Sequence, residues 1–219
     1  MTKTPAITNN LQTGSTQIEL AENGAATIKS TTQLTGKLHE VYRYLAHNYN
    51  QTEQEKWFLK NQAFPTFEVE KLEVSADNLA PTASCDYTIK VNRYASKAGK
   101  RMFVPLNLVN KMNRSLPKDN DRQQPLEFEL GYEDTDEIRF KLPSSYKVES
   151  LPKSIAPITS PYGTYSIQII EKEDTILYKR NLKLNAIKVP AEEYDAVRDF
   201  YKQIKKLDQT KLVLVRRSA

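Results

Sequence analysis

The stretch YGTYSIQIIEKEDTILYKRNLKL (residues 162–184) contains two runs in which every second residue is apolar. Tyr165, Ile167 and Ile169 share one face of the first run, and Ile176, Tyr178, Leu182 and Leu184 share one face of the second. Side chains of a strand alternate between its faces, so this period of two marks half-buried strands. The pattern extends upstream through DEIRFKLP, where Ile138, Phe140 and Leu142 are in phase, and YKVESLP. Short alternating segments separated by turn signals are expected of an antiparallel sandwich. The Leu-Pro pairs at 142–143 and 151–152 read as strand ends, because proline cannot donate to a ladder. Pro161-Tyr162-Gly163 reads as the turn that aims Tyr165 and its file at the core.

One member of the second run breaks its pattern. Arg180 lies in the apolar file of Ile176, Tyr178, Leu182 and Leu184, and it points inward unless a bulge shifts the register. A buried guanidinium needs a carboxylate or several carbonyls. The expectation is that its stem lies along the core rim and its head reaches solvent or a neighbouring acid. Arg180 is therefore the candidate structural polar anchor.

Outward from this region, STQIELAENGAATIKSTTQL reads as a hairpin turning at Glu22-Asn23-Gly24. Gly36 ends it, and KLHEVYRYLAHNY places Leu38, Val41, Tyr42, Leu45 and Tyr49 at helical spacing. A second helix is signalled by a capping box at Thr52-x-x-Glu55, with Trp57 and Phe58 on its buried side. From Phe67 the period returns to two: Cys85, Tyr87, Ile89 and Val91 share a face, and RMFVPLNL returns from a turn at Gly99. LPKDNDRQQP (residues 116–125) is polar, bracketed by prolines, and the best linker. Pro190 opens a last helix with the stripe Tyr194, Val197, Tyr201, Ile204 and Leu207, before a closing strand KLVLVRR. The expected class is mainly β with helices (α+β), as two β-sandwich-like (Ig-like) units with helices at about 37–61 and 190–207. The first unit, 1–120, is β-rich with a two-helix insertion, and the second, 121–219, is sandwich-like with a helix before its last strand.

Composition bounds the function. A chain of 219 residues with 39% hydrophobic and 27% charged residues, 12 Tyr and 7 Phe suits one large or two small water-soluble domains. No run of roughly 18 apolar residues occurs, so no membrane span is expected. One cysteine forbids an intrachain disulfide. The formal charge of +5 is concentrated early: residues 126–219 hold 16 Lys+Arg against 15 Asp+Glu, whereas 90–122 hold nine against two. Lys90, Arg93, Lys97, Lys100, Arg101, Lys111 and Arg114, with Tyr94 and Phe103 interleaved, form the candidate polyanion site. The alternative is a solvated hairpin face that happens to be basic.

Catalytic chemistry has little to stand on. Cys85 is the only thiol, and its place on an apolar strand face reads as a core residue. His39 and His47, eight residues apart on one helix, cannot share a metal and read as surface residues beside Arg43. With two His and one Cys, no structural zinc site is expected. Glu133, Asp134, Asp136 and Glu137, with Asp119 and Asp121, lack calcium-loop spacing and read as solvated loop charge. No G-x-S-x-G, phosphate loop or dinucleotide fingerprint occurs, and no cofactor is expected.

The order IRFKLPSSYKVESLP, SPYGTYSIQI, ILYKRNLKL and VPAEEYDAVRDFYKQIKKLDQTKLVL resembles the uncharacterised C-terminal domain that follows a transglutaminase-like domain in large exported bacterial proteins. Upstream, ENGAATIKSTTQLTGKLHEVYRYL and SKAGKRMFVPLNL look like the β-rich segment joining the two. The resemblance implies a periplasmic or surface-located, non-catalytic accessory module whose partner is an upstream transglutaminase-like domain of the same parent chain. A natural start before Met1 is then expected. Sites of that type take Cys before His, whereas both histidines here precede Cys85, so no catalytic residue carries over. The alternative is a polyanion- or carbohydrate-binding module using residues 90–122. A protein or glycan partner is compatible with either reading, and nucleic acid is not the expected partner.

Overall fold

The computed structural model describes residues 9–119 and 121–217. Strands form 49% and helices 21% of the chain, so the mainly β class with helices is observed. The first two strands, β1 (Leu11–Leu20) and β2 (Ala26–Thr35), form the expected hairpin, with Gly24 at φ 90° in its turn. One 3-10 turn (Gly36–His39) leads into α1 (Glu40–Asn48) and α2 (Gln51–Asn61). Then come β3 (Phe67–Ala76), β4 (Thr82–Val91), and the short hairpin β5 (Ser96–Ala98) and β6 (Arg101–Pro105). The later part holds β7 (Leu126–Phe128), β8 (Tyr132–Lys141), β9 (Tyr146–Ser150), β10 (Ile155–Ser160), β11 (Gly163–Lys172), β12 (Thr175–Leu184) and β13 (Ile187–Val189). A 3-10 turn, α3 (Tyr194–Asp208) and β14 (Lys211–Arg216) complete it.

One eight-stranded sheet dominates, in the order β10-β11-β12-β8-β1-β2-β4-β3. The division expected near residue 120 is not a break in hydrogen bonding. β1 from the first part runs parallel to β8 from the second, pairing Leu11 with Glu133 through Glu19 with Lys141. The register explains the union, because Thr16, Ile18 and Leu20 of β1 continue the inward file of Ile138 and Phe140. A second sheet, β5-β6-β14-β9, likewise mixes early and late strands. Its inward residues Met102, Val104, Leu212 and Leu214 join those of the long sheet in one continuous core. Burying each such aliphatic side chain contributes about 1.5–3 kcal/mol, so the shared core binds the two parts tightly. β7 and β13 pair separately.

Several local expectations are corrected. Asn50, not Thr52, caps α2: its side chain accepts from the Glu53 amide, and the Glu53 carboxylate accepts from the Asn50 amide. The two helices expected here are observed, meeting at Tyr49 and Asn50, but of the proposed α1 stripe only Leu45 is fully buried and Val41 is 53% exposed. His39 is buried rather than on the surface, its Nδ1 donating to the Gly36 carbonyl, while His47 is exposed. Pro190 precedes a 3-10 turn and α3 begins at Tyr194. The SPYG turn joins β10 to β11. Gly163 is needed there, since a Cβ would stand 2.0 Å from the Lys183 carbonyl oxygen.

Candidate functional site

The inward file of β12 carries Arg180 into the core. It is 2% exposed, and no bulge interrupts the β12 ladder with β8, where Arg180 sits opposite Asp136. The expectation that its head reaches solvent is therefore corrected; the alternative, a neighbouring acid, is what the structure supplies. Nη1 donates to Asp136 Oδ2 at 3.0 Å, Nε donates to Asp208 Oδ1 at 3.0 Å, and Asp134 Oδ2 lies 4.0 Å away. The Tyr165 ring lies 5.5 Å from the guanidinium carbon. Burial disfavours the guanidinium charge, and the carboxylates, Asp208 foremost, more than restore it.

Asp208 is the last residue of α3, so its side chain lies beside the partial negative charge of the helix end. Donors offset this. Tyr165 Oη donates to Oδ1 at 2.6 Å, Asn107 Nδ2 to Oδ1 at 3.0 Å, and the Met112 amide to Oδ2 at 2.7 Å, besides Arg180. The segment after β6 is thereby fastened over the cluster, and Asn107 Oδ1 in turn accepts from the Asn110 amide. Asn110 Nδ2 donates to Asp136 Oδ2 at 3.2 Å and reaches Asp134 Oδ2 at 3.4 Å. Gly14 of β1 faces Asp136, and a Cβ there would stand 2.8 Å from Oδ1. A side chain at position 14 would push the carboxylate off Arg180.

The cluster has three carboxylates around one guanidinium. Desolvation is the largest influence on Asp134 and raises its pKa to about 7, against which Arg180 acts only in part. Desolvation also raises the pKa of Asp136. Asp134 and Asp136 are thus core residues, not the solvated loop charge expected; Glu133 and Glu137 alternate to the other face, Glu133 accepting from Asn181 and Glu137 pairing with Lys179.

Beside the cluster, the end of α2 and residues 109–113 enclose a polar pocket of about 210 Å³. Thr32, Cys85, Tyr87 and Asp136 contribute to its lining from the long sheet. Cys85 is buried, and burial pushes its thiol up to about 12, as a core thiol requires.

The basic residues of 90–114 are spread over β4, the β5–β6 hairpin and the segment after β6, with Lys97, Lys100 and Arg101 together on the hairpin. Lys90 pairs with Glu70 at 2.5 Å, and Arg101 holds Glu149 through Nε and Nη2 at 2.5 and 2.7 Å. Lys97 donates to the Glu22 carbonyl, Arg114 lies over the Phe128 and Tyr201 rings, and Lys111 lines the pocket. Arg93 and Lys100 are exposed. Tyr94 is buried and donates to the Pro105 carbonyl, so it offers no stacking face. Among the described residues no group of three or more His, Cys, Asp or Glu side chains is placed to hold a metal ion. No helix among them is long and apolar enough to cross a membrane.

Fold and site together define a β-rich α+β sandwich-like protein whose sheet, terminal helix and β6 loop are pinned by a buried ion cluster. The chain belongs to the family described as a domain of unknown function with a solved structure (DUF3858), which it matches over residues 100–214. Arg180, its three acids, Asn107 and Asn110 all lie within that segment. No curated protein matches the chain.

Proposed function

We propose that this chain is a non-catalytic accessory module that supports or positions a transglutaminase-like domain lying upstream in the same periplasmic or surface-located parent protein. The observation that carries the non-catalytic reading is the buried cluster itself. The strongest polar constellation of the chain is spent internally, with the Arg180, Asp136 and Asp208 side chains no more than 3% exposed. The only thiol is buried and held far from its reactive form. A rigid body pinned at its centre suits a spacer or docking platform.

The docking part rests on the α1 surface. Val41 and Tyr44, one turn apart, are 53% and 57% exposed, and Leu79, at 96%, follows Asn78, whose carbonyl accepts from Arg43 of α1. Exposed large apolar groups gathered on one side are a usual mark of a partner surface. The transglutaminase-like context rests on the likeness of residues 138–214 to the domain that follows such enzymes. Removing the chain from the parent protein tests the proposal: the upstream domain is expected to lose thermal stability or activity. An upstream region of a different class, or one indifferent to the deletion, would overturn it.

A further inference from the structure

One end of the second sheet gathers cations from three separate stretches of chain. Lys97, Lys100 and Arg101 come from the β5–β6 hairpin, Lys147 from β9, Arg216 from the end of β14 and Arg217 from just past it. The strand register brings them together. Arg101 and Lys147 flank Val215 from its two sides, so they stand about 10 Å apart at ~4.8 Å per strand. The Arg216 amide donates to the Lys100 carbonyl and the Arg217 amide to the Ser145 carbonyl, which holds the end of β14 between the hairpin turn and the start of β9. All six residues are exposed. Two carboxylates touch the group: Glu149 accepts from Arg101 Nε and Nη2, and Glu22 Oε2 lies 3.9 Å from Arg216. Six cations against two acids leave an excess of four, where the whole chain has a formal charge of +5.

Lys100 and Lys147 form no ion pair or side-chain hydrogen bond among the described residues. Lys97 lies over the Tyr146 ring, 6.0 Å from its centroid, with Nζ on the Glu22 carbonyl, and Arg217 Nε donates to the Ser144 and Tyr146 carbonyls. Like charges gathered this closely repel one another and disfavour the compact state, a cost that a bound anion reverses. The arrangement says which kind of anion fits. Arg101 and Lys147 are in phase with outward Val215, whereas Lys97 and Arg216 are in phase with Met102 and Tyr146, so the charges wrap the end of the sheet onto both of its faces. A flexible chain charged on successive units can follow such an arc. Bases find no stacking platform, since Tyr94 and Tyr146 are 2% and 4% exposed, and the exposed large apolar residues Val41, Tyr44, Leu59 and Leu79 all belong to other segments, so none here enters a lipid layer. Ser144 and Asn23 are exposed beside the cations and supply a hydroxyl and an amide for sugar hydroxyls.

We infer that this end of the second sheet binds an anionic polysaccharide, its sulfate or carboxylate groups on Lys97, Lys100, Arg101, Lys147, Arg216 and Arg217. Clustered lysine and arginine side chains concentrate such a chain at the surface by charge, and the neighbouring hydroxyl and amide receive its sugars. The surface shares no residue with the exposed face of α1 and needs no upstream neighbour, so the chain by itself is sufficient for the test.

The test is a calorimetric titration of the intact chain with heparin and with polygalacturonate. Dextran is the uncharged control, and poly-L-glutamate, oligodeoxythymidine and phosphatidylglycerol vesicles are anions of other classes. At least one of the two polysaccharides is expected to bind with a dissociation constant on the order of 10 μM at low salt, weakening about 50-fold between 50 and 200 mM salt, as roughly four screened charge contacts require. Tighter binding of heparin assigns the site to sulfate groups, and tighter binding of polygalacturonate assigns it to carboxylates. Lys100→Glu combined with Lys147→Glu reverses two exposed charges that hold no partner, so the fold is kept, as circular dichroism verifies, and binding weakens by about tenfold or more. Lys60→Glu combined with Lys188→Glu, on other exposed segments, changes the net charge equally and leaves the affinity within about twofold, because distant surface charges are screened. No saturable binding of either polysaccharide, equal losses in the two double variants, or tighter binding of poly-L-glutamate, oligodeoxythymidine or the vesicles overturns the inference.

Discussion

Arg180→Met is the perturbation from which the structure predicts most. Methionine fills much of the stem's space but removes the only cation among Asp134, Asp136 and Asp208. Asp136 and Asp208, whose side chains are 3% and 1% exposed, each lose a 3.0 Å charge-assisted hydrogen bond. Breaking a buried pair by removing one partner costs about 3–5 kcal/mol, because the remaining charge keeps its desolvation penalty. At about 2–4 °C per kcal/mol for a chain of this size, the melting temperature falls by roughly 6–20 °C. The carboxylates can escape by protonation, so the loss is largest above pH 7 and shrinks at pH 5. Urea unfolding followed by circular dichroism and by Trp57 fluorescence, at pH 7.5 and pH 5, measures both. A loss under about 1 kcal/mol at pH 7.5 would refute the view that this arginine anchors the core, and so would an equal loss at both pH values.

The remaining predictions concern neighbouring residues. Burial raises the folded pKa of Asp134 to about 7, above the ordinary aspartate value of 3.8, so its contribution to stability is fully present below about pH 4 and lost as pH rises through 7. Asp134→Asn removes that decline: chemical denaturation should show the variant gaining on the wild type from near zero at pH 4 to about 2–4 kcal/mol at pH 8, and a variant less stable at pH 8 contradicts this. Gly14→Ala drives a Cβ to within 2.8 Å of Asp136 Oδ1 and should cost about 1–3 kcal/mol in a thermal melt, whereas a neutral result would mean the cluster yields freely. Cys85, buried with its thiol raised to about 12, should react with a thiol reagent only on unfolding, and rapid native-state labelling would place it on an accessible site.

Much of this architecture was legible in the residues, and the exceptions have physical causes. The alternating files predicted which faces of β4, β8, β11 and β12 are buried, because the period of two survives even where a charge interrupts it. The same logic, continued backward from Ile138, places Asp136 and Asp134 inward, and continued forward from Ile204 by one helical turn it places Asp208 on the stripe of α3. Read separately, each of these looks like surface charge; only the β8–β12 register shows that they meet Arg180. Asn107 and Asn110 gave no signal, since they act from an irregular segment whose path is set by tertiary contacts. The parallel pairing of β1 with β8 was equally silent, as it joins residues more than 100 positions apart with no local turn to announce it. Asn50 displaced the expected Thr52 as the α2 cap because both residues precede a Glu by three, and the chain breaks helix at Tyr49.

The central claim, that this chain is a docking module for an upstream neighbour, is tested most directly by calorimetric titration of the chain into the upstream region of its parent protein, expressed separately. The account predicts saturable one-to-one binding that Tyr44→Glu on the exposed face of α1 weakens at least about tenfold, as for a charge buried in an apolar contact. Absence of binding, or binding indifferent to Tyr44→Glu and Val41→Glu, would contradict it.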